Sequence, residues 1–250
     1  MISLLTGKIG SGKTLHAVGL IVRHIARGGT VYTNVQLNWD RLALVVRKRY
    51  RKIAERDQLR SIDLVSCAEW HAILEWGDPS LPVLVVLDEI HLFFNARDWA
   101  KTAALHRDML SFLSQSRKAC VDVVFIAQVA TTLEKQFRVQ CEWEFYCRNV
   151  KDIAVPLFGT LPLNRMLLVQ KDVETDKPMR RQLLRYDREL FPVYDTRSFL
   201  DATMRNASNG RPRIAPRKLK RVGLLSVASA WAAVFAACLV GVGAFYKLFA

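Results

Sequence analysis

Cysteine is scarce in this sequence, and its spacing suits neither a metal site nor a disulfide framework. Zinc ribbons and small disulfide-linked domains need paired, closely spaced cysteines. Here the number is odd and no C-x-x-C pair occurs, so neither kind of site is supported. The residues are Cys67, Cys120, Cys141, Cys147 and Cys238. We expect buried, reduced thiols in a domain that folds in the cytosol.

Acidic residues are few relative to basic ones. The 250-residue chain has 37 Lys and Arg against 23 Asp and Glu, a formal net charge of +14. This excess favours a polyanionic partner, either nucleic acid or an anionic membrane surface, although basic composition also serves solubility alone. Hydrophobic residues make up 51% of the chain, which excludes a mainly disordered protein.

Repeats, low-complexity tracts and an export signal are also missing from the sequence. Lys8 and the neighbouring glycines interrupt the apolar start of the chain, and no cleavage site follows. A secretory signal needs a longer apolar core and a small-residue cleavage site. The main domain is therefore expected in the cytosol.

Charge is absent from residues 222–246, which form a run of 25 residues. As a helix the run would span roughly 37 Å, enough to cross a ~30 Å hydrocarbon core. The flanking basic residues are Arg211, Arg213, Arg217, Lys218, Lys220 and Arg221 before the run and Lys247 after it. The positive-inside rule then puts residues 1–221 in the cytoplasm. The alternative is a buried helix of a soluble core, against which the length and the flanks both argue.

Strand and helix patterns alternate over the first two-thirds of the chain. Apolar or β-branched runs predict strands at 2–6, 30–35, 62–65, 83–87 and 121–127, and apolar periodicity predicts helices at 14–27, 42–52 and 105–118. Thr131 and Glu134 have capping-box spacing and should start a short helix. Such alternation predicts an α/β fold with a mainly parallel central sheet and helices on both faces. Strands at 143–147, 165–170 and 181–186 predict a small β-rich extension.

The stretch GKIGSGKT matches the phosphate-binding pattern G-x-x-x-x-G-K-[ST] and lies between a predicted strand and a predicted helix. Backbone N–H groups of such a loop curl around phosphate oxygens, and the following helix adds its positive end. The predicted nucleotide-binding residues are Gly7, Lys8, Ile9, Gly10, Ser11, Gly12, Lys13 and Thr14. Lys13 should reach the outer phosphates, and the Thr14 hydroxyl should bind Mg²⁺. The cofactors implied are ATP and Mg²⁺.

A second motif, VLVVLDE, supplies an acidic pair at the end of a buried strand. Asp88 is the predicted second Mg²⁺ ligand, and Glu89 is predicted to orient or deprotonate the attacking water. Alone, an acidic strand end is a weak signal, but together with the loop it is strong. The pair favours a hydrolase over a nucleotide kinase, which needs no such glutamate.

Two further residues are candidates for catalysis. Gln128 ends the strand at 121–127, where it would contact the γ-phosphate or the attacking water; a plain solvent-facing Gln is the competing interpretation. Arg117 ends the preceding helix and is a candidate arginine finger for a neighbouring subunit. A helix C-terminal cation is the simpler explanation for it. Arg97 and Arg138 are reserve candidates.

The stretches MISLLTGKIGSGKTLHAV, TVYTNV, VLDEIHLFF and RKACVDVVFIAQ, in this order, resemble the zonular occludens toxin (Zot) family. Its members are inner-membrane assembly ATPases of filamentous bacteriophages. The SRK and IAQ segments also look like the FtsK/HerA branch of P-loop motors, which act as hexameric rings and pump DNA. The resemblance covers residues 1 to about 190.

The resemblance implies a motor anchored in the host bacterial inner membrane that drives extrusion of phage single-stranded DNA. It implies a ring of like subunits as partner, six as in that branch. The other implied partners are single-stranded phage DNA or its packaging complex, coat proteins, membrane lipids and an outer pore protein. The alternatives are another DNA-pumping ATPase, such as a conjugative coupling protein, and a nucleotide-gated membrane scaffold that does no pumping.

The predicted domain organisation follows from these segments. Residues 1–190 form the cytoplasmic ATPase domain, 191–221 a basic linker, 222–246 the single membrane span and 247–250 a short periplasmic end. This sequence departs from the family pattern after the span, where members of the family usually carry a periplasmic domain. A periplasmic role is therefore not predicted from this sequence.

Overall fold

The computed structural model describes residues 1–62, 77–95, 103–150, 154–155, 159–160 and 165–194, all within a compact unit, Met1–Ala202. None of the helices in these ranges is long and apolar enough to cross a membrane. The predicted span at 222–246 lies outside the described residues, as do the predicted periplasmic end and most of the predicted linker.

A mixed sheet forms the centre of the unit. The strands are β1 Ile2–Thr6, β2 Val31–Thr33, β3 Leu59–Ser61, β4 Val83–Leu87, β5 Val121–Ile126, β6 Trp143–Asn149, a small separate hairpin of β7 Ala154–Val155 and β8 Gly159–Thr160, then β9 Arg165–Asp172 and β10 Pro178–Arg185. In the described residues the eight sheet strands lie in the order β10-β9-β6-β1-β5-β4-β2-β3. The six from β6 to β3 are parallel, and β9 and β10 are antiparallel to their neighbours.

Helices cover both faces of the sheet, as predicted. They are α1 Lys13–Ala26, α2 Trp39–Tyr50, α3 Ala103–Ser116 and α4 Lys135–Gln140. Alternate residues of β4 show the two-sided burial: Val85 packs in the core beneath α3 and α4, whereas Val86 packs in the core beneath α1 and α2. A continuous apolar strand is the expected composition for a parallel sheet buried on both sides.

The predicted β-rich extension is the edge of the central sheet itself. Strand β6 pairs in parallel with β1, with Leu5 opposite Phe145, and β9 and β10 continue the sheet as an antiparallel hairpin. The strand signals at these positions were correct. The extension is continuous with the sheet, because hydrogen bonding to β1 makes β6 a further parallel strand.

Two local predictions were right only in part, since a strand lies just before 62–65 and a short helix, α4, follows Glu134. The strand predicted at 62–65 is β3 at Leu59–Ser61, which pairs with β2; residues 63–65 lie outside the described ranges. Thr131 lies in a 3₁₀ turn, Ala130–Thr132, and Glu134 is itself the N-cap of α4, with no side-chain capping bond. The Glu134 carboxylate instead lies 3.2 Å from Nδ1 of the buried His106, an interaction that replaces the predicted capping box.

The segment 187–194, which follows β10, crosses the N-terminal half of α1. Its 3₁₀ helix, Arg188–Val193, begins where the Asp187 carboxylate accepts a hydrogen bond from the Glu189 N–H. Leu190 packs against α1, and the Asn38 N–H donates to the Val193 carbonyl at 2.7 Å. The segment is therefore held against the two helices next to the glycine loop.

Candidate functional site

The glycine loop lies at the carboxyl edge of the parallel strands, between β1 and α1. Ligands of open α/β sheets bind at this edge. The Gly7 N–H donates to the Gln128 carbonyl at 3.1 Å, so the start of the loop is tied to the end of β5. Lys13 is buried, and its Nζ donates to the carbonyls of Gly7 at 2.8 Å and Lys8 at 3.3 Å. The ammonium group thus lies across the loop where phosphate oxygens would bind.

Two glycines of the loop occupy backbone conformations that other residues rarely adopt. Gly7 has φ +140° and Gly12 has φ +95°. A Cβ on Gly7 would collide with the Cys147 carbonyl of β6, and a Cβ on Gly12 would lie 2.6 Å from Cε1 of Tyr186. The loop is consequently packed between β6 and the residue that follows β10.

Thr14 and Asp88 meet at the N-terminus of α1. The Thr14 hydroxyl donates to Asp88 Oδ2 at 3.0 Å, joining the loop to the end of β4. Burial raises the pKa of Asp88 above its ordinary value, the hydrogen bond from Thr14 lowers it, and the nearby Glu89 raises it further. A half-buried, partly compensated carboxylate of this kind favours a cation beside it.

Asn34 fixes the backbone of Asp88 from the neighbouring strand β2. Its Nδ2 donates to the Asp88 carbonyl at 2.9 Å, and its Oδ1 accepts from the Asp88 N–H at 2.7 Å. The sequence analysis gave Asn34 no role. The available signal was a polar residue at the end of a strand, which becomes informative only once β2 is known to pair with β4.

Glu89 has a left-handed backbone, with φ 49°, and its N–H donates to Asp88 Oδ1 at 2.8 Å. Its Oε2 lies 3.3 Å from His91 Nδ1. Both atoms are shielded from solvent, and neither has a hydrogen-bond partner in the described part of the chain. This strained backbone conformation places Glu89 in the lining of the cleft, together with Lys13 and Thr14. His91 is a neighbour that the sequence analysis did not consider.

The donor set fits a triphosphate with Mg²⁺. Within the described ranges, no cluster of three or more His, Cys, Asp or Glu side chains would hold a metal alone. Mg²⁺ commonly uses one or two protein oxygens together with phosphates and water, which Thr14 and Asp88 would supply. Ser11 Oγ, also in the loop, is buried with no hydrogen-bond partner among the described atoms, as expected for a group that faces a missing acceptor.

The remaining candidates lie at different distances from this cluster. Gln128 lies two residues after β5, is half-buried and accepts from the Gly7 N–H through its carbonyl, so it is adjacent to the loop. Arg117 is exposed and directly follows α3. The turn that begins there leads to Cys120, and the Cys120 carbonyl accepts a hydrogen bond from the Val83 N–H at the edge of the sheet opposite the loop. The structure therefore does not bring Arg117 to the loop of its own chain. Arg97 lies outside the described residues.

A cleft of about 430 Å³ opens beside the loop. The loop residues Gly10, Gly12 and Lys13 line one part of it, and Tyr186 and Phe191 line another. The Tyr186 hydroxyl donates to the Ser11 carbonyl at 3.0 Å, which ties the end of β10 to the loop. These aromatic residues were missed by the sequence analysis, because nothing local marks a residue near position 190 as a neighbour of position 12.

Comparison with known proteins agrees with this geometry. A family model described as zonular occludens toxin (Zot) matches residues 1–199. The gene 1 protein of Enterobacteria phage I2-2 is 30% identical over 98% of this chain and 74% of its own length. The gene 1 protein of Salmonella phage IKe is 32% identical over 63% of this chain and 43% of its own length. The chain is thus a homologue of phage gene 1 proteins and spans between about two-fifths and three-quarters of their length.

Among solved structures, a DnaB-like replicative helicase superposes with a TM-score of 0.51 at 11% identity, covering 76% of this chain and 56% of the helicase chain. At this identity the likeness concerns the fold alone. The described unit accordingly shares an α/β fold with this helicase, with a mostly parallel sheet and an antiparallel hairpin at one edge.

Proposed function

The chain belongs to the zonular occludens toxin (Zot) family, and from this membership we propose that it is an ATP hydrolase that powers the assembly of a filamentous phage. The observation that carries the proposal is the contact between Thr14 and Asp88 beside Lys13. It puts a hydroxyl, a carboxylate and an ammonium group at the mouth of a glycine loop, and these three groups bind Mg²⁺ and phosphates in P-loop enzymes.

Each residue of the cluster has a chemical task in this proposal. Lys13 exchanges its loop carbonyl partners for phosphate oxygens, and Thr14 with Asp88 holds Mg²⁺. Asn34 keeps the Asp88 backbone in place through two hydrogen bonds. Glu89 would accept a proton from the attacking water while the water oxygen bonds to the terminal phosphorus and the nucleoside diphosphate leaves. ATP supplies the free energy of this hydrolysis, and Gln128, next to Gly7, would report the state of the terminal phosphate to β5.

The proposed setting follows the charge distribution and the apolar run of the sequence. Residues 222–246 anchor the chain once in the host inner membrane, with the ATPase unit on the cytoplasmic side. The basic residues before the span contact anionic lipid. The motor would act on single-stranded phage DNA or its packaging complex while coat proteins are added, with an outer pore as a further partner.

We propose a ring of like subunits, and the position of Arg117 supports a role between subunits. Its exposed guanidinium lies at the edge of the sheet opposite the loop. If it stabilises transition-state charge, the charge must therefore belong to a nucleotide held by a neighbouring copy. Six subunits are proposed from the likeness to DNA-pumping rings.

The test is the hydrolysis rate of the purified full-length protein with Mg²⁺ and ATP. Glu89→Gln removes the proposed base but keeps its size, and we expect turnover to fall about 10²- to 10⁴-fold. The matched control is Glu142→Gln, the same change at an exposed position beside Ile2, at the opposite edge of the sheet. Equal rates for wild type and Glu89→Gln would contradict the motor and leave the nucleotide-gated scaffold as the better proposal.

A further inference from the structure

The cleft beside the loop is lined by two chemically different sets of residues, which we name the phosphate end and the aromatic end. One end is formed by Lys13, Thr14 and Glu89, which are charged or polar and suit phosphates. The other carries Tyr186 and Phe191, which offer flat aromatic surface. A nucleoside triphosphate has the same polarity, with a charged chain at one end and a planar base at the other.

Two of the three aromatic residues in the cleft already have neighbours that account for their position. Tyr186 is buried, its ring packs against Gly12 and its hydroxyl donates to the Ser11 carbonyl. Tyr194 is half-buried, and its pKa is raised by that burial and by the negative charge of Asp88. Neither ring is therefore placed to receive a base.

Phe191 differs from both because it is 48% exposed within the cleft. In the described ranges it is the only aromatic side chain in the exposed class. Its neighbours in sequence, Leu190 and Val193, are buried. Phe191 therefore combines exposed aromatic surface in the cleft with a backbone anchored by buried neighbours, which is the arrangement that a stacking platform requires.

The backbone that carries Phe191 is held on both sides. Arg49 Nη1 donates to Asp187 Oδ2 at 2.5 Å, and Arg49 Nη2 donates to Glu189 Oε2 at 2.9 Å. On the other side the Asn38 N–H donates to the Val193 carbonyl. A platform fixed before the ligand arrives loses little conformational freedom on binding.

We propose that Phe191 stacks on the base of the bound nucleotide and is a specificity-determining residue of this site. The inference rests on the proposed function, since it requires a triphosphate in the glycine loop. Stacking tolerates any base, so Phe191 distinguishes nucleotides from base-free polyphosphates, which the loop alone binds through their charge.

The experiment compares two ligands on the full-length protein in detergent. Equilibrium affinity is measured with Mg²⁺ for a non-hydrolysable ATP analogue, adenylyl imidodiphosphate, and for inorganic tripolyphosphate, which has no base. Phe191→Ala should weaken the analogue about 5- to 150-fold and leave tripolyphosphate unchanged. Phe191→Trp should keep or increase the affinity for the analogue, because the indole is a larger stacking surface.

The control is Leu183→Ala on β10, where the side chain is 49% exposed and does not line the cleft. It should change neither affinity. Phe191→Leu retains apolar volume without a flat ring and should behave like Phe191→Ala, which separates stacking from packing even if the alanine variant folds poorly. The fold of each variant is checked by its thermal unfolding.

Four results would overturn the inference. Equal weakening of both ligands by Phe191→Ala would mean that the ring acts through the loop. No change in either would mean that the base binds elsewhere. Failure of the wild-type protein to bind both ligands would remove the nucleotide site itself, and the proposed function with it, whereas binding of tripolyphosphate without a gain from the base would contradict only the stacking.

Discussion

The two ends of the cleft are built in different ways. Most of the phosphate end comes from one loop, within which Lys13 bonds to Gly7 and Lys8, and the acidic pair after β4 completes it. The aromatic end comes from residues some 170 positions later, which the β9–β10 hairpin returns to the carboxyl edge of the sheet. Local geometry therefore defines the loop of the phosphate end, and the topology of the sheet defines the aromatic end.

The ends also differ in where they carry strain. The phosphate end contains glycines with positive φ, a left-handed Glu89 and a half-buried Asp88 whose pKa is raised. The aromatic end is packed and paired, with a buried Leu190 and an Arg49 that binds two carboxylates and has a raised pKa because of those bonds. Strained backbone and buried charge are characteristic of functional sites, where stability is lost in favour of ligand binding.

Removal of the loop ammonium should have the largest effect and should act on the phosphate end alone. Lys13→Ala leaves phosphate oxygens without a charged donor, and we expect affinity for Mg²⁺-ATP to fall on the order of 100-fold. Equilibrium binding of a fluorescent ATP analogue is the measurement. Lys177→Ala, at the exposed β9–β10 turn, makes the same charge change and should leave affinity unaltered. Normal nucleotide affinity in Lys13→Ala would refute the assignment of the loop.

A methyl group at Gly12 should break the contact between the two ends. Gly12→Ala combines a strained φ of +95° with a Cβ 2.6 Å from Tyr186 Cε1, and we expect a loss of about 1–3 kcal/mol. That loss corresponds to a fall in Tm of about 2–12 °C for a unit of this size. Gly10→Ala is the control, because its φ is +76° but nothing lies within 4 Å of the added Cβ.

The two ends are coupled if the effect of Gly12→Ala depends on Tyr186. In a Tyr186→Leu background the flat ring is gone, so the steric part of the loss should shrink towards that of Gly10→Ala. Differential scanning fluorimetry of the four combinations gives the coupling. Additive shifts in Tm would mean that Tyr186 does not constrain the loop, and the aromatic end would then be independent of the phosphate end.

The two ends of the cleft also differ in how much of each could be predicted from the sequence. The loop, Asp88 and Glu89 were assigned from sequence, because each motif sits at a strand end that local patterns reveal. Asn34 required the pairing of β2 with β4, and Phe191 required the path of the segment 187–194. Neither is a property of a sequence window, since both depend on which strands are neighbours in the sheet.

The fold shows the same division. Strand β4 and helix α1 were predicted within a residue or so from apolar patterns. The placement of β6 as a parallel neighbour of β1 was not, because the period of a strand does not say which partner it takes. Likewise, Thr131 and Glu134 have capping spacing, but the contact of Glu134 with buried His106 is a tertiary interaction that outweighs the local signal.

The smallest effect is predicted for the substitution of Asp88, whose partly buried negative charge lowers the stability of the folded protein. A folded-state pKa raised above the unfolded value means that the ionised carboxylate destabilises the folded protein, and that this penalty is absent at pH below the ordinary pKa. Asp88→Asn does not titrate and can still accept from the Glu89 N–H through Oδ1 while its Nδ2 donates to Thr14 Oγ1. We therefore expect its nucleotide-free Tm to equal that of wild type in acid and to exceed it at neutral pH, by about 2–4 °C for each kcal/mol regained. The control is Asp57→Asn, the same change at an exposed position. If Asp88→Asn were less stable than wild type at neutral pH, the carboxylate would stabilise the loop without nucleotide. Both ends of the cleft would then stabilise the folded protein.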